Sequence, residues 1–389
     1  MARESYGRLV AFLSARTRDV AGAEDALGDA LLSALTTWPR DGVPDKPEAW
    51  LLTTARHRLV DEARQARVRE EHASTVRLVL DELAEAAEVK PADDIPDERL
   101  KLLFVCAHPA LDRAVHTPLM LQTVLGIDAA SIAQAFLVSP ATMGQRLVRA
   151  KRRIREAGIS FEAPSEHELP GRLGAVMEAI YAAFGIGWDE AAGAESRGRD
   201  LADEAIWLAR VLRDLRPDDP EIRGLLALML YCEARRPARR DDLGRYVPLS
   251  EQDPGSWSLP RLLEAERELS AAAVQGRPGR FQLEAAIQSV HADRRLTGRT
   301  DWAAIASFYA ALLSVAPTLG ARIGHAAAVA ERDGPTPALA LLDALDATAV
   351  RSHQPWWALR GHLLELLSRH AEAAQALDRA IGLAEDDAV

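Results

Sequence analysis

The sequence predicts an all-α protein: two small helical domains followed by a larger array of helix pairs. Three observations predict it. Ala and Leu dominate the 389 residues and aromatics make up only 5%, a mix that loses little on entering helices. Apolar residues recur at helical spacings of three and four, as at Met143, Leu147, Ala150 and Ile154. Breaks rich in proline and acid separate such stretches near residues 38–47, 91–96 and 163–166.

Composition sets outer bounds. With 48% hydrophobic and 27% charged residues, the chain is expected to fold into two or three domains rather than stay disordered. No apolar run is long enough to span a bilayer. The start, Met1-Ala2-Arg3-Glu4, carries acid early and lacks the apolar centre of a secretory signal. A cytoplasmic protein without membrane contact is expected. Cys106 and Cys232 lie far apart and outside any CxxC spacing, which favours two buried small hydrophobes over a disulfide or a cysteine metal site. The net charge of −11 argues against nucleic-acid binding only as an average. Residues 1–163 hold 22 Lys and Arg against 24 Asp and Glu; the remainder holds 25 against 34. Local clustering of basic residues, not the net charge, sets affinity for phosphate.

In chain order, residues 1–72 read as three helices interrupted by a loop over 38–47. Residues 73–98 form an acidic, Ala-rich tether, partly helical and then irregular around Pro91 and Pro96. Residues 99–160 hold three or four short helical patterns ending in a basic helix. A break at 163–166 leads into a helical region over 166–389. There Ala338, Leu342 and Asp343 recur as Ala373, Leu377 and Asp378, an offset of 35 residues, close to the period of tetratricopeptide helix pairs. Residues 215–220 (LRPDDP) separate two amphipathic stretches in a similar way. Repeat-like helical hairpins and an irregular helical bundle both fit this region.

The clearest pattern is a helix-turn-helix over residues 128–155. Asp128 is placed to cap a short helix with Ile132, Ala133 and Phe136 on one face, and a tight turn follows at Leu137-Val138. Ser139 supplies an N-cap oxygen, and Pro140 stands at the first helical position, where its missing N–H costs nothing. The next helix sets Met143, Leu147, Ala150 and Ile154 in one stripe. Gln145, Arg146, Arg149, Arg152 and Arg153 fall mainly elsewhere. A recognition helix needs this division: an apolar stripe to hold it down, early polar residues for base edges, later arginines for phosphates. Six basic residues stand between Arg146 and Arg155 with no acid among them. The competing reading is an ordinary surface helix with solvated arginines.

Residues 136–158 (FLVSPATMGQRLVRAKRRIREAG) closely resemble the promoter −35-reading helix-turn-helix of extracytoplasmic-function (ECF) RNA-polymerase sigma factors. Residues 23–31 (AEDALGDAL) resemble the polymerase-clamp-binding helix of that family's first domain, and residues 47–61 (PEAWLLTTARHRLVD) the helix that reads the −10 element. Residues 102–110 (LLFVCAHPA) resemble the entry to the second domain in one subgroup. That subgroup carries a tetratricopeptide-like extension in place of a separate anti-sigma partner. Residues 225–230 (LLALML), 279–292 (GRFQLEAAIQSVHA) and 370–374 (HAEAA) echo the extension, so the resemblance covers nearly the whole chain.

The resemblance implies core RNA polymerase and promoter DNA as partners. Asp25 and Asp29, four apart on one helix face, would meet basic residues of the polymerase clamp; otherwise they are a pair of solvated acids. Trp50, Arg56, Arg58 and Arg64 would serve the −10 element, the arginines on phosphates and the aromatic under an unstacked base, although Trp50 also fits a core position. Thr142, Gln145, Arg146 and Arg149 are the expected −35 contacts, with Ser139, Lys151, Arg152 and Arg153 beside them. The 38–47 loop stands where the family captures a flipped −10 base. Three departures follow. Gly28 replaces a usual Gln, residues 184–188 (FGIGW) replace a Phe-Asn-Glu-Gly-aromatic motif, and Gly324 replaces a usual Asn.

Enzyme signatures are missing: no HExxH, GxSxG, Walker or dinucleotide glycine fingerprint occurs, and the ten histidines are dispersed. Gly185-Ile-Gly187 lacks a preceding strand and a third glycine. His353 and His362, near Trp356 and Trp357, are candidates to line a pocket but fit packing as well. No enzyme activity, cofactor or metal is expected. The function read from the sequence is promoter recognition, with the extension regulating or supporting it, including through contact with the two sigma domains. The alternative is a DNA-binding regulator or interaction scaffold that no longer engages polymerase.

Overall fold

The computed structural model of the protein describes residues 2–69, 98–136, 138–159, 161, 162, 164, 165, 167–189, 195–241 and 244–383. The described residues are all-helical in class, 76% of them in helix. Among the described residues no strand occurs, and one isolated antiparallel bridge joins Arg240 and Tyr246. The 73–98 tether lies almost wholly outside the described residues.

Two compact units divide the chain. The first runs to Asp189 and takes in Ser196–Leu208; the second starts at Ala209. The first unit therefore continues beyond the proline break that the sequence shows near 163–166. Phe161, Leu169, Leu173, Val176 and Ile180 are all buried on its far side or beside it.

In the first unit, α1 (Ala2–Thr17), α2 (Val20–Asp41) and α3 (Pro47–Arg69) pack together. Asp19 starts α2 by accepting from the Gly22 N–H at 3.1 Å, which satisfies a donor that helix geometry leaves unpaired. The expected loop at 38–47 is shorter than the proline pattern suggests. Helix continues through Pro39 to Asp41, because a proline one turn from a helix end forfeits a single hydrogen bond. Gly42, at φ 88°, then turns the chain out while its N–H still reaches the Trp38 carbonyl.

Four further helices follow: α4 (Arg99–Cys106), α5 (Arg113–Thr123), α6 (Ala129–Ala135) and α7 (Pro140–Glu156). Then α8 (Leu169–Asp189) packs on α5 and α4. Cys106 is fully buried, and burial pushes its thiol up to about 12. Cys232, expected to be buried as well, is half-buried. The glycines of residues 184–188 sit inside α8, where the Phe184 and Trp188 rings stack at 5.8 Å. A buried ion pair joins Arg99 to Glu204, and the Arg99 guanidinium also lies 4.2 Å from the Trp207 ring.

The second unit is a succession of helices packed on their neighbours. Pro220–Ala234 is buried nearly all round and carries Leu259–Ala273 and Arg280–Ala292 against it. Glu221 caps the latter helix from outside, accepting from the Phe281 N–H at 2.9 Å and the Gln282 N–H at 3.2 Å; a carboxylate there also suits the helix dipole. Trp302–Val315, Leu319–Asp333, Pro335–Asp343, Gln354–Leu366 and His370–Ile381 complete the series, with a four-residue helix, Ala347–Val350, between the last two pairs. Of the repeated positions, Ala338, Leu342 and Ala373 are buried in one cluster. Leu377 is 39% exposed, with its side chain against Gly361 of the preceding helix. Gly324, where an Asn was expected, lies against the Tyr309 ring so closely that a side chain has no room.

Candidate nucleic-acid and polymerase interface

The helix pair α6–α7 is built as its residues dictate. Asp128 accepts from the Ala130 and Ser131 N–H groups at 3.0 and 2.9 Å. Ser139 Oγ accepts from the Thr142 N–H at 3.2 Å, and the two hydroxyls lie 2.8 Å apart. The two helices pack together, and Ile132 and Ala133 of α6 and Met143, Leu147, Ala150 and Ile154 of α7 are all buried. Phe136 differs from its expected place on the buried face and is 37% exposed. It occupies the C-cap with ψ near 7°, so the chain has already left the helical stripe. Leu137 lies outside the described residues.

The basic row of α7 divides three ways. Arg146, Arg149 and Arg153 line a cleft of about 360 Å³ together with Ala110, Leu111, Asp112, Ala114 and Val115. Among the described residues none of these three has an ion-pair partner. Thr142 and Gln145 are exposed alongside. Arg152 turns outward to Glu156 at 3.3 Å. Lys151 and Arg155 turn the opposite way, toward the first three helices: Lys151 pairs with Glu24, and Arg155 Nη1 lies 3.2 Å from Asp19 Oδ2. Lys151 is thus held in a nearly buried pair, its side chain 14% exposed. The sequence held a signal for this. Lys151 follows Leu147 by four and precedes Ile154 by three, which places it on the flank of the apolar stripe.

On the first three helices, Asp25 is exposed and Asp29 half exposed on one face of α2. Leu32 and Leu35 continue that helix as exposed apolar residues, 63% and 72% open. Arg58 projects from α3 beside Asp29. Trp50 is half-buried and meets Trp38 edge to face, with ring centroids 5.6 Å apart. Arg56 turns inward over Phe12 at 5.6 Å, and burial with the nearby Arg16 lowers its pKa. The side chain of Arg64 lies outside the described residues. Nothing stands within 4 Å of the space a side chain at Gly28 would fill.

No helix among the described residues is long and apolar enough to cross a membrane. No group of three or more His, Cys, Asp or Glu among them could hold a metal ion. In the second unit a cavity of about 630 Å³ is lined by Trp356, Trp357, Arg351 and Arg360, but not by His353 or His362.

These helices agree with what comparison finds. Residues 1–69 match sigma-70 region 2, and residues 172–273 match a family of unknown function, DUF6596. A sigma-70 region 2 domain at the N-terminus supports a place among the sigma factors, with a sigma-like role in transcription initiation. The chain is also 40% identical over 366 residues to the uncharacterized protein R00370 of Rhizobium meliloti (strain 1021), covering 93% of this chain and 86% of that one. It belongs to the same family as that protein. No solved structure matches it.

Proposed function

We propose that the protein is a sigma factor of the ECF type that directs core RNA polymerase to specific promoters and assists opening at the −10 element. One observation carries the reading: a region 2 domain stands in the same chain as a capped helix pair that presents Arg146, Arg149 and Arg153 with no ion-pair partner among the described residues. In this reading α2 docks on the polymerase clamp through Asp25 and Asp29. The α3 residues Trp50, Arg56, Arg58 and Arg64 serve the −10 element. The helix-turn-helix α6–α7 reads the −35 element through Thr142, Gln145, Arg146 and Arg149, with Ser139, Arg152 and Arg153 flanking. The second half is a tetratricopeptide-like extension that regulates or supports this activity, and RNA synthesis itself belongs to the polymerase.

The test is transcription in vitro with core RNA polymerase, the full chain and a pooled promoter library. Initiation at defined start sites, abolished by Arg146→Ala with Arg149→Ala, is the expected result. The bare surface at Gly28 favours a second reading, a DNA-binding regulator or scaffold that has lost polymerase. Promoter-independent DNA binding without polymerase binding would establish that reading instead.

A further inference from the structure

The cavity of about 630 Å³ in the second unit has the construction of a ligand site. Its size falls within the roughly 300–1,000 Å³ typical of small-molecule sites. The buried Val350, Leu364 and Ala376 give it an apolar floor. Trp356 and Trp357 stand at 90° to each other, with ring centroids 4.7 Å apart. Neither indole has an N–H to spare. Trp356 Nε1 donates to the Leu342 carbonyl at 3.3 Å, and Trp357 Nε1 donates to the Arg351 carbonyl at 3.2 Å. The pair therefore offers a ligand only ring faces and ring edges. A flat group laid on one ring meets the other edge to face, and both are favoured aromatic geometries. Trp357 is the more open of the two, since Trp356 is buried and has the Arg360 guanidinium 5.3 Å from its ring.

Charge decides what that flat group carries. The charged side chains lining the cavity are Asp343, Arg351, Arg360 and Glu372. All but one are matched. Arg360 pairs with Asp343, and Glu372 accepts two hydrogen bonds from Arg369, at 2.7 and 2.6 Å. Arg351 is exposed and has no ion-pair partner among the described residues. The hydrogen bond from Trp357 ties the Arg351 backbone to the aromatic corner. We propose that the cavity binds a small aromatic carboxylate, with its ring in the Trp356–Trp357 corner and its carboxylate on Arg351. One unpaired guanidinium balances one negative charge, and its planar fork matches a carboxylate. A phosphate monoester carries about −1.5 to −2 at neutral pH, and would bring its excess charge up against Asp343 and Glu372. An ammonium group would meet Arg351 with nothing to offset the repulsion. The site lies wholly within the second unit, so it is independent of whether the first unit engages polymerase.

Calorimetric titration of the full chain with naphthoate, naphthamide and naphthyl phosphate tests the assignment, because the three probes share a ring and differ in charge. Naphthoate is expected to bind saturably at one site, and naphthamide about tenfold more weakly, a loss of roughly 1.4 kcal/mol. Arg351→Ala should weaken naphthoate about tenfold and leave naphthamide unchanged. Ala347→Trp, at an exposed position on the cavity wall, should block both probes. Both substitutions fall at exposed positions, and unchanged thermal melts will show that the fold is kept. No binding of naphthoate by the parent chain at millimolar concentration overturns the site. Binding that survives Ala347→Trp places the ligand elsewhere and overturns it as well. Equal affinity for naphthoate and naphthamide, or indifference to Arg351→Ala, overturns the role of Arg351. Tighter binding of naphthyl phosphate than of naphthoate overturns the choice of a carboxylate.

Discussion

Arg58 Nε lies 3.6 Å from Asp29 Oδ2, joining α3 to α2 through a pair in which both side chains remain about half exposed. One residue is proposed to face DNA and the other polymerase, yet in the free protein they face each other. A pair this open is worth roughly 0–1 kcal/mol, so either partner can be drawn away at little cost.

Asp29→Asn is therefore expected to leave urea-unfolding stability within about 0.5 kcal/mol of the parent. Affinity for core polymerase should fall about fivefold, as for loss of one charged contact worth roughly 1 kcal/mol. A binding titration against labelled core polymerase checks it; an unchanged affinity removes Asp29 from the docking surface.

Arg146, Arg149 and Arg153 should differ in how they act. Replacing an arginine that neutralises a phosphate lowers the slope of log affinity against log salt by about 1, uniformly across sequences. Replacing one that reads a base costs about 1–3 kcal/mol and relaxes preference at one position. Salt titrations of Arg146→Ala, Arg149→Ala and Arg153→Ala on one promoter and on a scrambled duplex sort the three. Identical behaviour of all three on both duplexes would count against base readout by this helix.

Gly28 occupies a helix interior with open space where a side chain would stand. Gly28→Ala is expected to stabilise the protein by about 1 kcal/mol, since nothing opposes the gain in helix propensity. Gly28→Gln should give a smaller stabilisation and tighter polymerase binding. Thermal melts and the same titration read the two effects separately.

Glu204 neutralises Arg99 where both side chains are nearly buried, 6% and 10% exposed. Removing one partner of such a pair is strongly destabilising, and Glu204→Ala is expected to cost about 3–5 kcal/mol in denaturant unfolding. Replacing both residues by apolar ones of similar size should recover most of that loss.

His291 supplies a pH signature. Burial, reinforced by Arg235 and Arg294, lowers its pKa to about 4, against roughly 6.5 in an unfolded chain. Above about pH 6.5 the ring is neutral in both states. As pH falls from there toward 4, only the unfolded chain takes up the proton, so the folded state loses up to about 3 kcal/mol. His291→Gln should flatten that part of the stability profile in urea melts run between pH 7 and 4.5. An unchanged profile would place the acid sensitivity elsewhere.

Much of this was legible in the sequence, and the limit has a physical origin. Caps at Asp128 and Ser139, the stripe from Met143 to Ile154 and the helical character of the second half depend on neighbours a few residues apart, which spacing records. The same holds for Arg146 and Arg149. Lys151 meeting Glu24 and Arg99 meeting Glu204 depend on how distant helices cross, and no local spacing encodes that. Phe136 and Pro39 misled for a third reason. Each stands within one turn of a helix end, where one dihedral decides on which side of the boundary a residue falls.

The helix Glu195–Leu215 lends Ser196–Leu208 to the first unit and its remaining turns to the second. The seam thus runs through a secondary-structure element rather than a loop. Trimming at the obvious sequence break near residue 163 would strip Arg99 of Glu204 and uncover the face of α5 that α8 shields. A fragment meant to carry the first unit intact has to end mid-helix, beyond Leu208. By the same token the second half is not a cassette: moving it onto another chain by recombination would carry away part of the first unit's own core.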